Sequence, residues 1–271
     1  MMTGFLYITT GKQANDSQFL VFDVDEPRVI SISDYSNNTV VLLNSHRNIC
    51  SSSMIINWHQ GDHASASMFK GFPTDQEEKQ RDILFSNPAM YFSKPVYVPY
   101  IETFSVNFEI FYFKTSNPLG FEVHPTIFDL NGYSTNSVKT TGFFMKPSYS
   151  NPNATIHCTH FSGYNGTIGV LIGGSNYPPH STLSIDTVED NGNRFRDTVD
   201  LSIGGIEIGI LPESFTLSTN NTNGVEVYVQ YFVLQDQFVP LTTTVAPETT
   251  TKMSNGFEVF SIFTFTILFL S

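Results

Sequence analysis

The chain has 271 residues, room for one large β domain or two of ordinary size, since a single hydrophobic core commonly serves about 100 to 200 residues. Its 40% hydrophobic and 14% aromatic content supplies enough apolar surface to offset the entropy of ordering, which excludes a wholly disordered chain. With 25 acidic against 13 basic residues, a formal net charge of −12 and no Lys/Arg cluster, the chain repels phosphate backbones, which excludes nucleic acid as a partner.

From the N-terminus, Met1 to Ile8 turns polar at Thr9 and reaches Lys12 without a cleavage pattern, so it reads as a strand over Phe5 to Thr9 and not as a signal peptide. The abrupt start raises the expectation that the natural chain begins further upstream. Period-two alternation then dominates, the mark of strands with one buried face. Strands are expected at Gln18 to Phe22, Arg28 to Ser33, Thr39 to Leu43, Met54 to Trp58, Phe121 to Phe128 and Ala154 to His160, and again at Thr167 to Ile172, Leu183 to Val188 and Ile206 to Leu211. The clearest cases are Phe104, Val106, Phe108, Ile110 and Tyr112 on one face of a single strand, and Val225, Val227, Val229, Tyr231 and Val233 near the end. Asn-Gly pairs at Asn131-Gly132, Asn165-Gly166, Asn191-Gly192 and Asn223-Gly224 supply the positive φ that hairpin turns need. One helix is expected over Asp75 to Phe85, opened by the capping-box spacing of Thr74 and Glu77.

This pattern gives an all-β chain, an antiparallel β-sandwich in two β domains. The expected divisions are a first domain over 1–58, a connector with the short helix over 59–87, a second sandwich over 88–235, a Thr/Pro-rich stalk over 236–256 and a hydrophobic tail over 257–271. The stalk buries nothing and has the composition of an O-glycosylated spacer. The tail, Val259 to Leu270, is almost wholly apolar but shorter than the roughly 20 residues a spanning helix needs. It fits the removable signal of a glycosylphosphatidylinositol anchor, with a short tail anchor and a buried strand as alternatives. The partner it implies is a membrane, and the location the extracellular face of the plasma membrane, or secretion.

Motifs that carry chemistry are sparse. His59 and His63 are four apart, but Gly61 between them argues for a loop and the general-base Glu of a zinc protease is missing. His157, Cys158 and His160 bring a thiol near two imidazoles, yet on a strand His157 points away from Cys158 and His160. Asp190-Asn191-Gly192-Asn193 is oxygen-rich like a calcium loop but lacks the downstream bidentate Glu, and a tight hairpin uses the same residues. Gly173-Gly174-Ser175 has neither a nucleophile-elbow nor a Walker context. No catalytic residue, cofactor or metal site is assigned. Cys50 and Cys158 form one long-range disulfide or remain two buried thiols. N-glycosylation acceptors occur at Asn15, Asn37, Asn153, Asn165 and Asn220.

Tyr7-Ile8-Thr9, Asp16-Ser17-Gln18-Phe19-Leu20-Val21-Phe22-Asp23, Val40-Val41-Leu42-Leu43 and Met54-Ile55-Ile56-Asn57-Trp58 follow in the order of the strands of the CUB-like domain of nematode secreted proteins, and residues 1–58 resemble the second half of that domain. The leading Cys and N-terminal half of that domain are absent, so the resemblance implies a jelly-roll or CUB-like antiparallel β-sandwich whose first β domain is incomplete. The resemblance implies an extracellular jelly-roll-like sandwich associated with membrane rafts and with innate immune defence, without enzymatic activity, and with a glycan or microbial surface as ligand. Exposed aromatics such as Tyr112, Phe113 or Tyr164 would then stack on sugars. The competing expectations are a carbohydrate-active enzyme on a jelly-roll scaffold and a structural coat protein.

Overall fold

The computed structural model describes residues 18–235 apart from 34–36, 45–50, 62, 75–81, 117, 130–132, 138, 150–153, 159–165, 174–176, 189–191, 204–205, 211–213 and 219–224. The described chain is almost entirely strand. It begins with β1 (Phe19–Asp23), β2 (Arg28–Ile32), β3 (Asn37–Leu43), β4 (Ser51–Gln60), β5 (Ser65–Lys70) and β6 (Phe85–Asn87). A small hairpin, β7 (Ala89–Tyr91) and β8 (Lys94–Val96), and the short β9 (Tyr100–Ile101) follow. Next come β10 (Phe104–Val106), β11 (Ile110–Ser116) and β12 (Leu119–Ile127). The remainder is β13 (Tyr133–Ser137), β14 (Thr140–Lys146), β15 (Ala154–Cys158), β16 (Gly166–Gly173), β17 (Thr182–Val188), β18 (Arg194–Asp200), β19 (Ile206–Ile210), β20 (Ser214–Ser218) and β21 (Val227–Gln235).

These strands build two sandwiches of the same topology. In the first, a five-stranded sheet ordered β1-β3-β11-β5-β6 faces a four-stranded sheet ordered β10-β4-β12-β2. In the second, the sheet β13-β15-β20-β17-β18 faces β19-β16-β21-β14, to which β9 adds at the edge. Replacing β1–β6 by β13–β18 and β10–β12 by β19–β21 converts one set of orders into the other. The directions agree as well: β1 runs parallel to β3 as β13 does to β15, and the other equivalent pairs are antiparallel. The chain is thus a tandem repeat of one nine-stranded sandwich, with residues 88–103 inserted between β6 and β10 of the first copy.

The alternation of strand side chains fixes how the copies join. On β21, Val227, Val229, Tyr231 and Val233 point into the second core with Phe144, Val170, Ile172, Leu183 and Ile185. On the opposite face, Tyr228 enters the first core beside Phe143 and Met145 of β14, among Phe85, Phe104, Phe108 and Phe111. Further along the same face Phe232 is covered by Ala89, Tyr91, Val96 and Val98 of the inserted segment. The sheet carrying β14 and β21 is therefore buried on both faces and belongs to both cores. Residues 1–238 accordingly form one compact unit, distinct from Val239–Ser271.

Several expectations change. The stretch 59–87 is no mere connector, because β5 and β6 lie within it and β5 pairs with β11 across residues Phe111–Ser116. The first sandwich is not short of strands: β10, β11 and β12, expected in the second domain, complete it. The run from Phe104 to Phe113 is not one strand. The chain crosses between the two sheets at residues 107–109, so Phe104, Val106 and Phe108 share a core with Phe111 and Phe113, and the parity of the alternation switches at the crossing. Tyr112, on the outer face, stacks on Phe69 at 5.0 Å and is buried, as is Phe113, so neither is an exposed platform for sugars. Gly192, between the antiparallel neighbours β17 and β18, takes φ 81°, and Gly166 opens β16; Asn131, Gly132, Asn165, Asn191, Asn223 and Gly224 lie outside the described residues. The expected helix lies mostly outside the described residues, and Phe85 at its far end opens β6. The expected strand over Phe5 to Thr9, and the stalk and tail, also lie outside them.

Candidate functional site

The face of the second copy that packs against the first copy has an uncovered counterpart. In the first copy the equivalent strands are β2, β12 and β4, and the outer face of their sheet carries Val29, Asn57, His59, Glu122 and His124. Val29 is 75% exposed.

The centre of this face is shaped by a β-bulge. Gly120 pairs with His59 and Glu122 with Ile56, so Asn57 and Trp58 together oppose Phe121. Asn57 takes the left-handed conformation at φ 51°, which asparagine tolerates better than most residues. The kink aims successive side chains to opposite sides: Trp58 stacks on Phe121 inside at 5.1 Å, while Asn57 stays outside. There Asn57 Nδ2 donates to Glu122 Oε1 at 2.8 Å, and His124 Nε2 lies 3.0 Å from Glu122 Oε2. The bond from Asn57 holds the Glu122 carboxyl below the usual carboxylate range, followed by the bond from His124 and the nearby His124 and His59 charges. Both carboxylate oxygens are thus oriented before any ligand arrives, and Gly120 leaves an open notch between Ser31 and His59.

A second polar group seals the join between the copies. Glu226 accepts from Lys70 Nζ and from the Tyr228 hydroxyl, and Lys70 also lies 5.5 Å from the Phe108 ring centroid. Lys146 is fully buried and donates to the carbonyls of Pro147 at 3.1 Å and Val225 at 2.6 Å. Burial pulls its pKa down, against the opposing charge of Glu226. Burial first, then the charge of Glu226, pushes the Tyr228 phenol far above its ordinary value. Lys70, Glu226 and Tyr228 thus staple the join, whereas both acceptors of Lys146 belong to the second copy.

The residues singled out by spacing do not converge. His59 sits on β4 and His63 in the turn after it, both exposed, so they do not share a helical face. Among the described residues no group of three or more His, Cys, Asp or Glu is arranged to hold a metal ion. His157 and Cys158 close β15, opposite Asn136 and Ser137 of β13. Cys50, His160, Tyr164, Gly174, Ser175, Asp190 and Asn191 lie outside the described residues, as do the acceptors Asn15, Asn153, Asn165 and Asn220. Asn37 opens β3 and is exposed, with Asn38 turned inward. Sequence spacing does not reveal the Asn57–Glu122–His124 group, whose members lie up to 67 positions apart.

Fold and surface together define a class, a tandem β-sandwich protein with one solvent-facing sheet kept polar and preorganised. The match to known families is specific: the model of a family described as transmembrane glycoprotein covers residues 1–268, and the chain belongs to that family. The match takes in the Thr/Pro stretch and nearly all of the apolar tail, and it is not to the CUB-like family whose strands residues 1–58 resemble. No curated protein matches the chain significantly. Membrane association and glycosylation are thus properties of the family. No helix among the described residues is long and apolar enough to cross a bilayer.

Proposed function

We propose that this is a non-enzymatic, membrane-held surface glycoprotein that recognises its ligand on the outer face of β2, β12 and β4. The observation that carries the reading is the contrast between equivalent faces. In the second copy the face is covered, with Tyr228, Phe143, Met145 and Phe232 packed against the first copy and the insertion, whereas in the first it is exposed and carries a polar group preorganised around Glu122. A carboxylate with both oxygens aligned, flanked by imidazoles and an amide, suits a polyhydroxylated ligand, and the glycan of a microbial or neighbouring cell surface is the ligand class proposed. The resemblance of residues 1–58 to CUB-like proteins supports a role in barrier defence. Attachment runs through the apolar tail, by a lipid anchor or a tail segment, and Asn37 carries N-linked sugar.

Purified full-length protein is applied to an array of immobilised glycans beside its Glu122→Gln and His59→Ala variants. Selective binding lost in Glu122→Gln, with thermal stability unchanged, is the expected result; binding indifferent to both substitutions refutes the assignment of this face. Release of the native protein from membranes by phosphatidylinositol-specific phospholipase C distinguishes the lipid anchor from a tail segment.

A further inference from the structure

Residues 88–103 have no equivalent in the second copy, where residues 201–205 make the corresponding connection. The insertion has two unlike faces. Its inner face fastens it to the second copy: β9 pairs with β14, and Ala89, Tyr91, Val96 and Val98 enclose Phe232, with Tyr91 edge-on to Phe232 at 4.8 Å. Fastening does not account for the outer face, which presents Met90, Phe92 and Tyr97 to solvent; Phe92 is 49% exposed.

Three observations indicate what meets that face. Phe92 and Ser93 form the two-residue tip of the hairpin, at φ 46° and 60°, where glycine or asparagine is the unstrained choice and phenylalanine is a backbone outlier. From Leu84 to Ile101 the sole charged side chain is Lys94, in a chain of net charge −12. Phe232, under the hairpin, is three residues and about 10 Å from Gln235, where β21 ends and the chain runs on towards the apolar tail.

We propose that the outer face of this hairpin rests in the interfacial layer of the bilayer to which the chain is attached, a reading that depends on the membrane attachment given above. Phe92 and Met90 enter the acyl boundary, Tyr97 sits at headgroup depth with its hydroxyl wet, and Lys94 reaches the headgroup phosphates. Near-neutral apolar chemistry with a tyrosine at its margin fits a bilayer surface better than the acidic surface of a second copy.

Full-length protein carrying Phe92→Trp is reconstituted into phosphatidylcholine vesicles with plain or brominated acyl chains. Trp58, the single native tryptophan, stacks in the first core and provides the parent signal. Bromolipid is expected to cut the emission added by the substitution about twofold or more, aqueous iodide to leave it, and the parent emission to stay constant. Met90→Trp repeats the measurement from a second position if the first variant misfolds. Added emission quenched by iodide and not by bromolipid, in protein that floats with the vesicles, overturns the hairpin proposal and leaves membrane attachment standing. Protection from both quenchers means that another protein or a glycan covers the face, which also overturns it. Protein that fails to float overturns the attachment and the hairpin together.

Discussion

Gly142 and Gly169 lie beneath aromatic rings from β21. A Cβ added at Gly142 would stand 2.2 Å from the Tyr231 hydroxyl oxygen, and one at Gly169 would stand 2.0 Å from the Phe232 ring. Neither ring has somewhere to go: the Tyr231 hydroxyl donates to Glu102 at 2.5 Å, and Phe232 is enclosed by the hairpin. Gly142→Ala and Gly169→Ala should each cost about 1–3 kcal/mol, read as a fall in thermal midpoint. Gly120→Ala, whose added carbon meets nothing closer than 3.6 Å, should be near neutral in the same assay. On the exposed face, Glu122 should titrate below the usual carboxylate range in a carbon-detected NMR titration. Because its folded pKa is depressed, the Asn57 and His124 contacts favour the fold above the ordinary carboxylate pKa, and that contribution fades as pH falls through the depressed value. Asn57→Gly keeps the left-handed backbone and removes the amide, so the Glu122 titration should move back up. An unmoved curve would assign the shift to the histidines alone.

At the scale of strands, Gln230 shows how the copies are sewn together. Its side-chain amide acts as an extra backbone unit for β6: it accepts from Ser86 N–H at 2.9 Å and donates to Ser86 C=O at 2.7 Å and to Thr141 Oγ1 at 3.0 Å. Gln230→Leu retains most of the volume but orphans a buried N–H and a buried C=O, and should destabilise the protein by about 3 kcal/mol in urea unfolding. The same environment explains which strands could be read from sequence. Strands with one wet face, such as Leu119–Ile127, alternate and are legible. Thr140–Lys146 is not: Thr141 to Lys146 are all buried, so no alternation exists to find. Phe104 to Phe113 misleads for the opposite reason, since alternation continues in the letters while the chain changes sheets. The insertion was missed as structure because its strands are three residues or shorter.

For the molecule as a whole, the all-β class was legible and the duplication was not. Equivalent strands keep their place but not their chemistry. Glu122 and His124 lie outward on β12 where β21 carries Tyr228, Gln230 and Phe232, because one face meets water and the other meets protein. Sharing a sheet between two cores also sets the folding behaviour. Residues 19–235 should unfold in one cooperative transition, with calorimetric and van't Hoff enthalpies in agreement, and two resolved transitions would contradict the shared core.

The last described strand, β21, is neither an edge strand nor a terminal flap. It is flanked by β16 over Gly166–Gly173 on one side and by β14 over Thr141–Lys146 on the other, both antiparallel. A pull along the tether therefore loads two ladders at once along the strand axis, so that their hydrogen bonds must shear together instead of unzipping one by one. With the attachment proposed above, the load falls on the strand gripped from both sides and from both cores.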